Sequence, residues 1–458
     1  MDSKLLRERL RYRGEEDFRR LLHTYLQEDS FDYNRKIRPF FDCVRGELPA
    51  CMNHKDEVLA LSIGGSTTKL MLAGTAEGQM QISHLVVVKN PTILTHFYDF
   101  LDALFLKDPC VRRYLETAKS PSLCVTLPVM IGEDQIPFHP VKIAYITHML
   151  ARNDAEMTEE LNLGNNLRRY FCSRRIRTPL LYFQSDPVIA HLGGLFQLVQ
   201  KPKDARTLLL VCGTGMATAD DNYQRVISRL RMMDFDEGLY PEEFTEGYVY
   251  ETACSGKGLF DIMRRAIRIR AKEPDSQLQP ENLEPYFSDL YDSVTVAKIW
   301  ESSIDPDFCD ETVCRIREAV GAAAMTELEE IAGMIMDRVI GSLANAILVS
   351  AVKIDREEGK GRYFLLFEGS IALDPYIHPR IKEVLQSRLK EPSLFIQANM
   401  DPPEILFEKC AYKPLLFSES VPLELKPKVD ITLIGTAVAA VVREVLAREN
   451  AGKTIGAE

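Results

Sequence analysis

Polar and apolar positions along this chain predict helices first and a sheet afterwards. Residues 1–50 have apolar side chains at near-helical spacing and read as helical. Short apolar runs bounded by turn residues then predict strands at 58–63, 70–73, 82–88, 122–128 and 180–184. Helical patterns fall between the later strands, at 92–106, 111–118 and 159–172. A hairpin followed by alternating helices and strands indicates an α/β fold with a mixed sheet.

The order of strand, glycine turn and strand starts again in the second half of the chain. The strands predicted there are 207–212, 363–367 and 404–407. The predicted helices are 257–269, 294–302, 311–354, 379–389 and 433–448. This doubling predicts two α/β domains.

Two glycine turns carry the first chemical signal. In LALSIGGSTTKLML, Gly64 and Gly65 follow an apolar strand and allow the backbone to approach a bound group closely. The hydroxyls and N–H groups that come next are of the kind that cradle a phosphate. A similar turn, VCGTGMATA, follows the strand at 207–212. Together the two turns suggest a duplicated nucleotide-binding core.

Composition narrows the class of protein. The chain has 458 residues, of which 46% are hydrophobic and 27% charged, as is usual for globular proteins. A net charge of −11 argues against a nucleic-acid binder, which needs a basic surface. The apolar stretch 339–352 is shorter than the roughly 20 residues of a membrane span, so we expect a buried helix. A charged start and ten cysteines without a CxxC pair favour a cytoplasmic protein with reduced thiols.

Several segments, taken in order, resemble the eukaryotic-type hexokinase family. LSIGGSTTKL resembles the family's LDxGGTNxR, and YFQSDPVIAHLGG resembles VVNDTVATLL. LLLVCGTGMATA resembles GLIxGTGTNA, and YVYETACSGKGLFDIMRRAI resembles LFEKMISGxYLGELVRLIL. The stretch from DRVIGSLANAILVSAVKI to YFLLFEGSIALDPYIHP resembles the family's RAAxLxAAxIAAI and VGVDGSLYxxHP, and LIGTAVAAVV resembles its final helix.

The resemblance implies a two-domain actin-like ATPase fold, which is ribonuclease H-like, with a deep cleft between the domains. Its boundaries would be 58–186 plus 433–458 for a small domain and 1–57 plus 187–432 for a large one. It implies a hexokinase that uses ATP with Mg²⁺ to phosphorylate the 6-hydroxyl of a hexose. Glucose is the first candidate, and the reaction would be the first step of glycolysis. The expected partners are hexose and ATP, with no nucleic acid or membrane, and monomer and homodimer both stay open.

Asp186 corresponds to the family's catalytic aspartate, which takes the proton of the sugar hydroxyl. Because phosphoryl transfer passes through a loose transition state, positioning and charge do most of the work, but a base must still receive that proton. The alternative reading of Asp186 is an N-cap of the helix that follows. The neighbouring Ser185 and Pro187 replace the family's Asn and Thr.

Further sugar contacts follow from the resemblance. The residues it implies, besides Asp186, are Thr126, Thr147, Ser185, Asp234, Asp236 and Glu251. Carboxylates suit this task because they accept hydrogen bonds from paired hydroxyls. Asp234 and Asp236 also fit a solvated acidic turn.

The resemblance also implies the nucleotide contacts. They are Ser62, Gly64, Gly65, Ser66, Thr67, Lys69, Gly213, Thr214, Gly215, Glu368, Gly369, Ser370 and Gly435. Ser62 stands where the family has a magnesium-binding aspartate, so no direct protein ligand for the metal is expected. Ser370 alternatively caps a helix, and Gly435 alternatively permits helix packing.

Two other functions stay open. The departures at Ser62, Ser185, Pro187 and Ala217 fit a catalytically weak or inactive sugar- or nucleotide-sensing protein on the same fold. A carboxylate that replaces the one missing at Ser62 would favour the enzyme. An assembling actin-like scaffold is the third reading.

Overall fold

The computed structural model divides the chain into two compact units. Unit 1 contains Met1–Ser30, Pro202–Asp220 and Arg225–Glu408, and unit 2 contains Phe31–Lys201, Asp221–Gln224 and Lys409–Glu458. The structure describes residues 3–11, 14–27, 56–64, 67–90, 97–127, 163–200, 204–213, 215–221, 224–225, 254–287, 294–396, 399–408 and 410–455.

The elements are numbered in chain order. The strands are β1 Val58–Ile63, β2 Thr67–Ala76, β3 Gln79–Lys89, β4 Ser122–Leu127, β5 Leu180–Ser185, β6 Ala205–Cys212, β7 Met216–Asp220, β8 Gln224–Arg225, β9 Arg362–Glu368, β10 Glu404–Leu406 and β11 Leu416–Phe417. The helices are α1 Ser3–Leu10, α2 Glu15–Gln27, α3 Phe97–Phe105, α4 Pro109–Thr117, α5 Leu163–Ser173, α6 Asp186–Gln197, α7 Gly256–Arg270, α8 Pro280–Leu283, α9 Thr295–Ile304, α10 Glu311–Val320, α11 Ala322–Glu358, α12 Ile377–Leu389, α13 Ser393–Ile396 and α14 Ile431–Ile455. The described residues also include two 3₁₀ helices, Glu284–Phe287 and Leu423–Lys428.

Unit 2 is built on a mixed sheet in the order β11-β3-β2-β1-β4-β5. Strands β1, β2 and β3 form an antiparallel meander, whereas β4 and β5 continue from β1 in parallel. Both faces of β1 are buried: Leu59 and Leu61 join one apolar cluster, and Val58 and Ala60 join another that includes residues of α6 and α14. The predicted hairpin and the parallel strands after it are therefore confirmed.

Helices α6 and α14 touch through glycine. A Cβ atom on Gly193 would lie 1.8 Å from the carbonyl oxygen of Ile431, and one on Gly435 would lie 1.9 Å from that of Ile189. Only residues without a side chain allow the two backbones to come this close. The contact accounts for Gly435 by helix packing, which is the second of the two readings given for it.

Because of this packing, the boundary between the units differs from the predicted domain boundary. The sequence placed 187–432 with the other domain, but α6 and the residues from 410 onward belong to unit 2. The physical reason is that α6 is held against α14, which in turn covers β1, β2 and β4.

Unit 1 holds the second sheet, in the order β10-β9-β6-β7-β8. β6 and β7 are antiparallel, and β9 lies parallel to both β6 and β10. Helix α11 is long and apolar enough to cross a membrane by length and composition, but 94% of its most apolar window is buried inside the protein. It is a core helix, as the sequence predicted.

The single helix predicted at 311–354 is two helices in the structure. The run 311–354 breaks at Gly321, which has φ +79° and separates α10 from α11. A left-handed conformation ends a helix, and glycine adopts it without steric cost.

Candidate active site

Four polar side chains lie side by side in the sheet of unit 2. Lys69 pairs with Ser62 across β1 and β2, Ser62 pairs with Thr126 on β4, and Thr126 pairs with Gln184 on β5. Directly paired residues project from the same face of a sheet. This polar row lies near the carboxyl ends of the parallel strands β1, β4 and β5, which is where open α/β sheets bind their ligands.

The start of α14 meets one end of the polar row. The ammonium group of Lys69 donates a hydrogen bond to Oδ2 of Asp430. The other oxygen, Oδ1, accepts the backbone N–H of Leu433 at 2.8 Å and so caps the helix. Asp430 therefore places a carboxylate beside Lys69, the residue that pairs with Ser62 across β1 and β2. The ammonium group of Lys69 already engages this carboxylate.

Thr126 is held by the same helix. Its hydroxyl lies 2.7 Å from that of Thr436, which donates to the carbonyl oxygen of Thr432 at 2.7 Å. Because the Thr436 proton goes to Thr432, Thr126 donates to Thr436. Thr126, predicted to contact sugar, is only 1% exposed. Its proton is used inside unit 2, which leaves its hydroxyl the role of acceptor.

The first glycine turn is closed by its own hydrogen bonds. The N–H of Gly64 donates to the carbonyl oxygen of Thr67 at 2.9 Å. The carbonyl oxygen of Gly64 accepts from the amide of Asn90 at 2.8 Å, and the Thr68 hydroxyl donates to the other end of that amide at 2.7 Å. The N–H of Gly64 is therefore engaged within the protein, and its predicted contact with the nucleotide stays a prediction.

Asp186 follows β5 directly and is the first residue of α6. Ser185 occupies the N-cap position, so the reading of Asp186 as the N-cap is also wrong. Asp186 is half-buried, two residues beyond Gln184 of the polar row. The positive end of the helix dipole favours its ionised form, which is the form that accepts a proton. Pro187 fits its place in the first turn because its missing N–H has no partner to lose there.

The second glycine turn, in unit 1, is assembled from three segments. Gly213 donates to the carbonyl oxygen of Gly215 at 2.9 Å and accepts from the N–H of Gly256 at 2.8 Å. A Cβ atom on Gly213 would lie 3.6 Å from the hydroxyl of Ser370. The structure therefore brings together the second glycine turn, the predicted nucleotide contact Ser370 and the start of α7.

Gly369 allows this assembly. Its φ is +95°, and a Cβ atom there would lie 2.3 Å from the carbonyl oxygen of Cys212. That oxygen accepts the N–H groups of Ile371 at 3.0 Å and Ala372 at 3.1 Å. Glu368, at the end of β9, is buried. The named N–H groups all donate to carbonyl oxygens of the protein, so what favours an anion at this place is the N-terminus of α7.

Ser370 does not cap the next helix. Helix α12 starts at Ile377, and the carboxylate of Asp374 accepts the N–H groups of Tyr376 at 2.8 Å and Ile377 at 3.1 Å. The alternative reading of Ser370 as an N-cap is therefore wrong, and its hydroxyl stands against Gly213 instead.

Some predicted residues lie outside the part of the chain that the structure describes. They are Gly65, Ser66, Thr147, Thr214, Asp234, Asp236 and Glu251. Their roles stay predictions.

Sequence reasoning missed three polar residues of unit 2. Asn90 follows a predicted strand and gives no local sign that its amide bonds to Gly64 and Thr68. Asp430 precedes an apolar helical run, which is a recognisable N-cap signal. His191 lies on α6, is fully buried, and places Nε2 3.4 Å from Oδ1 of Asp221. A lone histidine in an apolar helix gives no sign of its partner, so only the fold could show this pair.

Within the described ranges, one group of side chains has the types and spacing of metal ligands: His84, Asp108 and Cys110. Oδ1 of Asp108 accepts two N–H groups as the cap of α4, and Oδ2 lies 2.7 Å from Nε2 of His84. Both carboxylate oxygens thus have structural partners. His84 pairs with Leu72 in mid-strand, whereas the polar row includes Lys69 of the same strand, so the group is separate from that row.

No protein-family model matches the sequence, and no curated protein matches it. Solved structures do match. A crystal structure of a hexokinase gives a TM-score of 0.55 at 15% identity, covering 96% of this chain and 98% of that one. The hexokinase from Schistosoma mansoni complexed with glucose gives 0.55 at 11% identity, covering 94% of this chain and 100% of that one. This chain has the two-domain fold of the actin-like ATPases.

A ROK-family protein from Streptococcus pneumoniae TIGR4, in complex with sucrose, also matches at 14% identity, over 85% of this chain and 100% of that one. Its TM-score of 0.44 is too low to carry an argument. At these identities the likeness shows the actin-like fold, and it does not single out the eukaryotic-type hexokinases within it.

Proposed function

We propose that this chain is a sugar kinase that transfers the γ-phosphate of ATP to the 6-hydroxyl of a hexose, with glucose as the first candidate and glycolysis as the pathway. The observation that carries the proposal is the place of Asp186. In a chain with the fold of the hexokinases, this carboxylate starts a helix at the end of a parallel strand, beside the polar row.

The proposed role of Asp186 is to receive the proton of the attacking hydroxyl. A base that begins a helix is held by the backbone rather than by a flexible loop, and the positive end of the helix dipole favours a negative charge at that place. In this proposal Ser185, immediately before it, keeps its predicted role in binding a sugar hydroxyl.

The nucleotide is assigned mainly to the second glycine turn. Gly213, Gly369 and the start of α7 form a place where backbone can approach a phosphate and where the dipole favours negative charge. ATP supplies the phosphoryl group and Mg²⁺ neutralises its charge. Ser62 is a hydroxyl, and the nearby Asp430 is paired with Lys69, so these residues fit magnesium that is held by the nucleotide and water rather than by the protein.

The test is a coupled assay of purified protein with ATP, Mg²⁺ and a panel of hexoses, for the parent and for Asp186→Asn. We expect turnover with glucose, reduced on the order of 10²–10⁴-fold in the variant because it lacks the base. Glu311→Gln is the matched control, since Glu311 is also the first residue of a helix, in unit 1. Normal turnover in Asp186→Asn would contradict the assignment.

A second candidate function is a sensor that binds the same ligands without turning them over. The specific observation that favours it is the Lys69–Asp430 pair, in which the carboxylate beside the strand partner of Ser62 is already engaged. In that case glucose or ADP raises the melting temperature by mass action, while no product forms with any hexose.

A further inference from the structure

Two cysteines flank the start of α10 in unit 1. Asp310 is the N-cap of this helix, and its Oδ1 accepts the N–H groups of Thr312 at 2.9 Å and Val313 at 3.2 Å. Cys309 is the residue before the cap, and Cys314 is the fourth residue of the helix. Side chains at these two positions pack against each other in helices with this type of start.

The two thiols are in contact. The Cys314 thiol is hydrogen-bonded with that of Cys309, and burial together with this neighbour raises the pKa of Cys314. Cys309 is exposed, and Cys314 is partly exposed. Solvent therefore reaches the first thiol, and the second stands behind it.

The turn that holds the pair is fixed from several sides. The ammonium group of Lys298, on α9, lies 2.9 Å from Oδ2 of Asp310. The rings of Phe308 and Tyr376 pack edge to face with centroids 6.0 Å apart, and the Tyr376 hydroxyl donates to Asp305. Because the fold already holds the thiols together, most of the entropy needed to join them has been lost on folding.

We propose that Cys309 and Cys314 are a redox modification site that closes to a disulfide in the presence of a low-molecular-weight disulfide such as oxidised glutathione. The exposed Cys309 thiolate attacks one sulfur of the oxidant, forms a mixed disulfide and releases one small thiol. Cys314 then loses its proton and attacks the Cys309 sulfur, which releases the second small thiol. The protein loses two S–H bonds and gains one S–S bond, and the oxidant takes up two electrons and two protons.

The disulfide would replace a non-covalent contact at the start of α10 by a covalent one. Its expected structural effect is local: the first turn of α10 opens less often, so its amide hydrogens exchange more slowly. The closing step should become faster as pH rises, because the raised pKa of Cys314 leaves little thiolate at neutral pH.

The experiment equilibrates the folded full chain in buffers with different ratios of oxidised to reduced glutathione, then quenches with acid, alkylates the remaining thiols and measures peptide masses. For the parent we expect peptides containing both cysteines to lose the mass of two hydrogen atoms, reversibly with dithiothreitol. Cys314→Ser should instead keep a glutathione adduct on Cys309, since the resolving thiol is gone, and clear it on the order of tenfold more slowly than the parent.

Cys172→Ser is the matched control, because Cys172 is an exposed cysteine of unit 2 and its loss should leave the Cys309–Cys314 oxidation unchanged. Hydrogen exchange of 311–320 gives a second measurement, in which oxidation should slow exchange in the parent and not in Cys309→Ser. A parent that accumulates the adduct on Cys309, with no disulfide to Cys314 at any glutathione ratio, would overturn the proposal.

Discussion

The two glycine turns share a sequence signature and are built differently. In the first, the N–H of Gly64 donates to the carbonyl oxygen of Thr67 across the turn, and the side-chain amide of Asn90, just after β3, donates to the carbonyl oxygen of Gly64. In the second, Gly213 is surrounded by residues far along the chain, among them Gly369 and the start of α7. A glycine after an apolar strand thus permits either a turn made locally or a site made by tertiary contact, and the motif alone does not distinguish them.

The largest difference between the turns should appear on adding one methyl group. Gly369→Ala should cost about 3 kcal/mol of unfolding free energy, because φ is +95° and the new Cβ would lie 2.3 Å from a carbonyl oxygen. Gly64→Ala should cost about 1 kcal/mol, because its nearest neighbour is the Thr67 oxygen at 3.1 Å. Denaturant unfolding of both variants measures this, and equal costs would erase the contrast.

A buried carboxyl group of unit 1, close to the start of α12, should make stability depend on pH. Burial and the adjacent Asp374, whose carboxylate fixes the start of α12, raise the pKa of Glu301 to about 8 from its ordinary 4.5. The folded state therefore prefers the neutral acid, so the contribution of Glu301 is fully present below about pH 4.5 and is lost as pH rises to about 8.

Unfolding free energy measured across that range should fall in the parent by up to about 2 kcal/mol, and the fall should be smaller in Glu301→Gln, which stays neutral throughout. Lys298 and Asp310 act on the same group, Lys298 lowering its pKa and Asp310 raising it. Parallel curves for the two proteins would remove Glu301 as the cause.

A third change tests whether the turnover of the proposed kinase is limited by a missing carboxylate beside the first glycine turn. If the proposed kinase is limited by charge at this place, Ser62→Asp should raise turnover about tenfold or more and lower the magnesium concentration needed. Turnover against magnesium concentration measures both. Unchanged activity in an active parent would mean that charge at this place does not limit turnover, and silence in both proteins would favour the sensor.

The smallest effect on the fold should come from Gly213→Ala. Its nearest neighbour would be 3.6 Å from the new Cβ, an ordinary contact, so stability should change by no more than about 0.5 kcal/mol. If a phosphate approaches this glycine, affinity for ADP should still fall about tenfold. Calorimetric titration with ADP provides the measurement, and unaltered affinity would place the nucleotide elsewhere.

Local patterns predicted an element well where its buried residues are consecutive in the sequence. β1 has the predicted bounds because all six of its residues are buried and apolar or small. β2 is longer than predicted, since its polar start at Thr67, Thr68 and Lys69 pairs with β3 and β1 although it does not look like a strand. The break at Gly321 was missed because apolar spacing continues across it.

Contacts between distant residues set the limit for the site. The strand-to-helix position of Asp186 could be predicted because it can be read locally, whereas its catalytic role stays a prediction. The Lys69–Asp430 pair joins residues 361 positions apart, and nothing near either one announces the other. The same holds for Gly369 against Cys212, where a turn glycine gives no sign of which carbonyl it approaches.

The glycine contact between α6 and α14 has a consequence for synthesis on the ribosome. Among the described elements of unit 2, α14 comes last in the chain, and its Leu433, Val438 and Val441 belong to the apolar cluster on one face of β1, β2 and β4. Until those residues leave the exit tunnel, part of one apolar face of the sheet is exposed. Unit 2 therefore completes its core late in translation, after most of its strands have been synthesised. The nascent chain is then a natural client for chaperones that shield apolar surface.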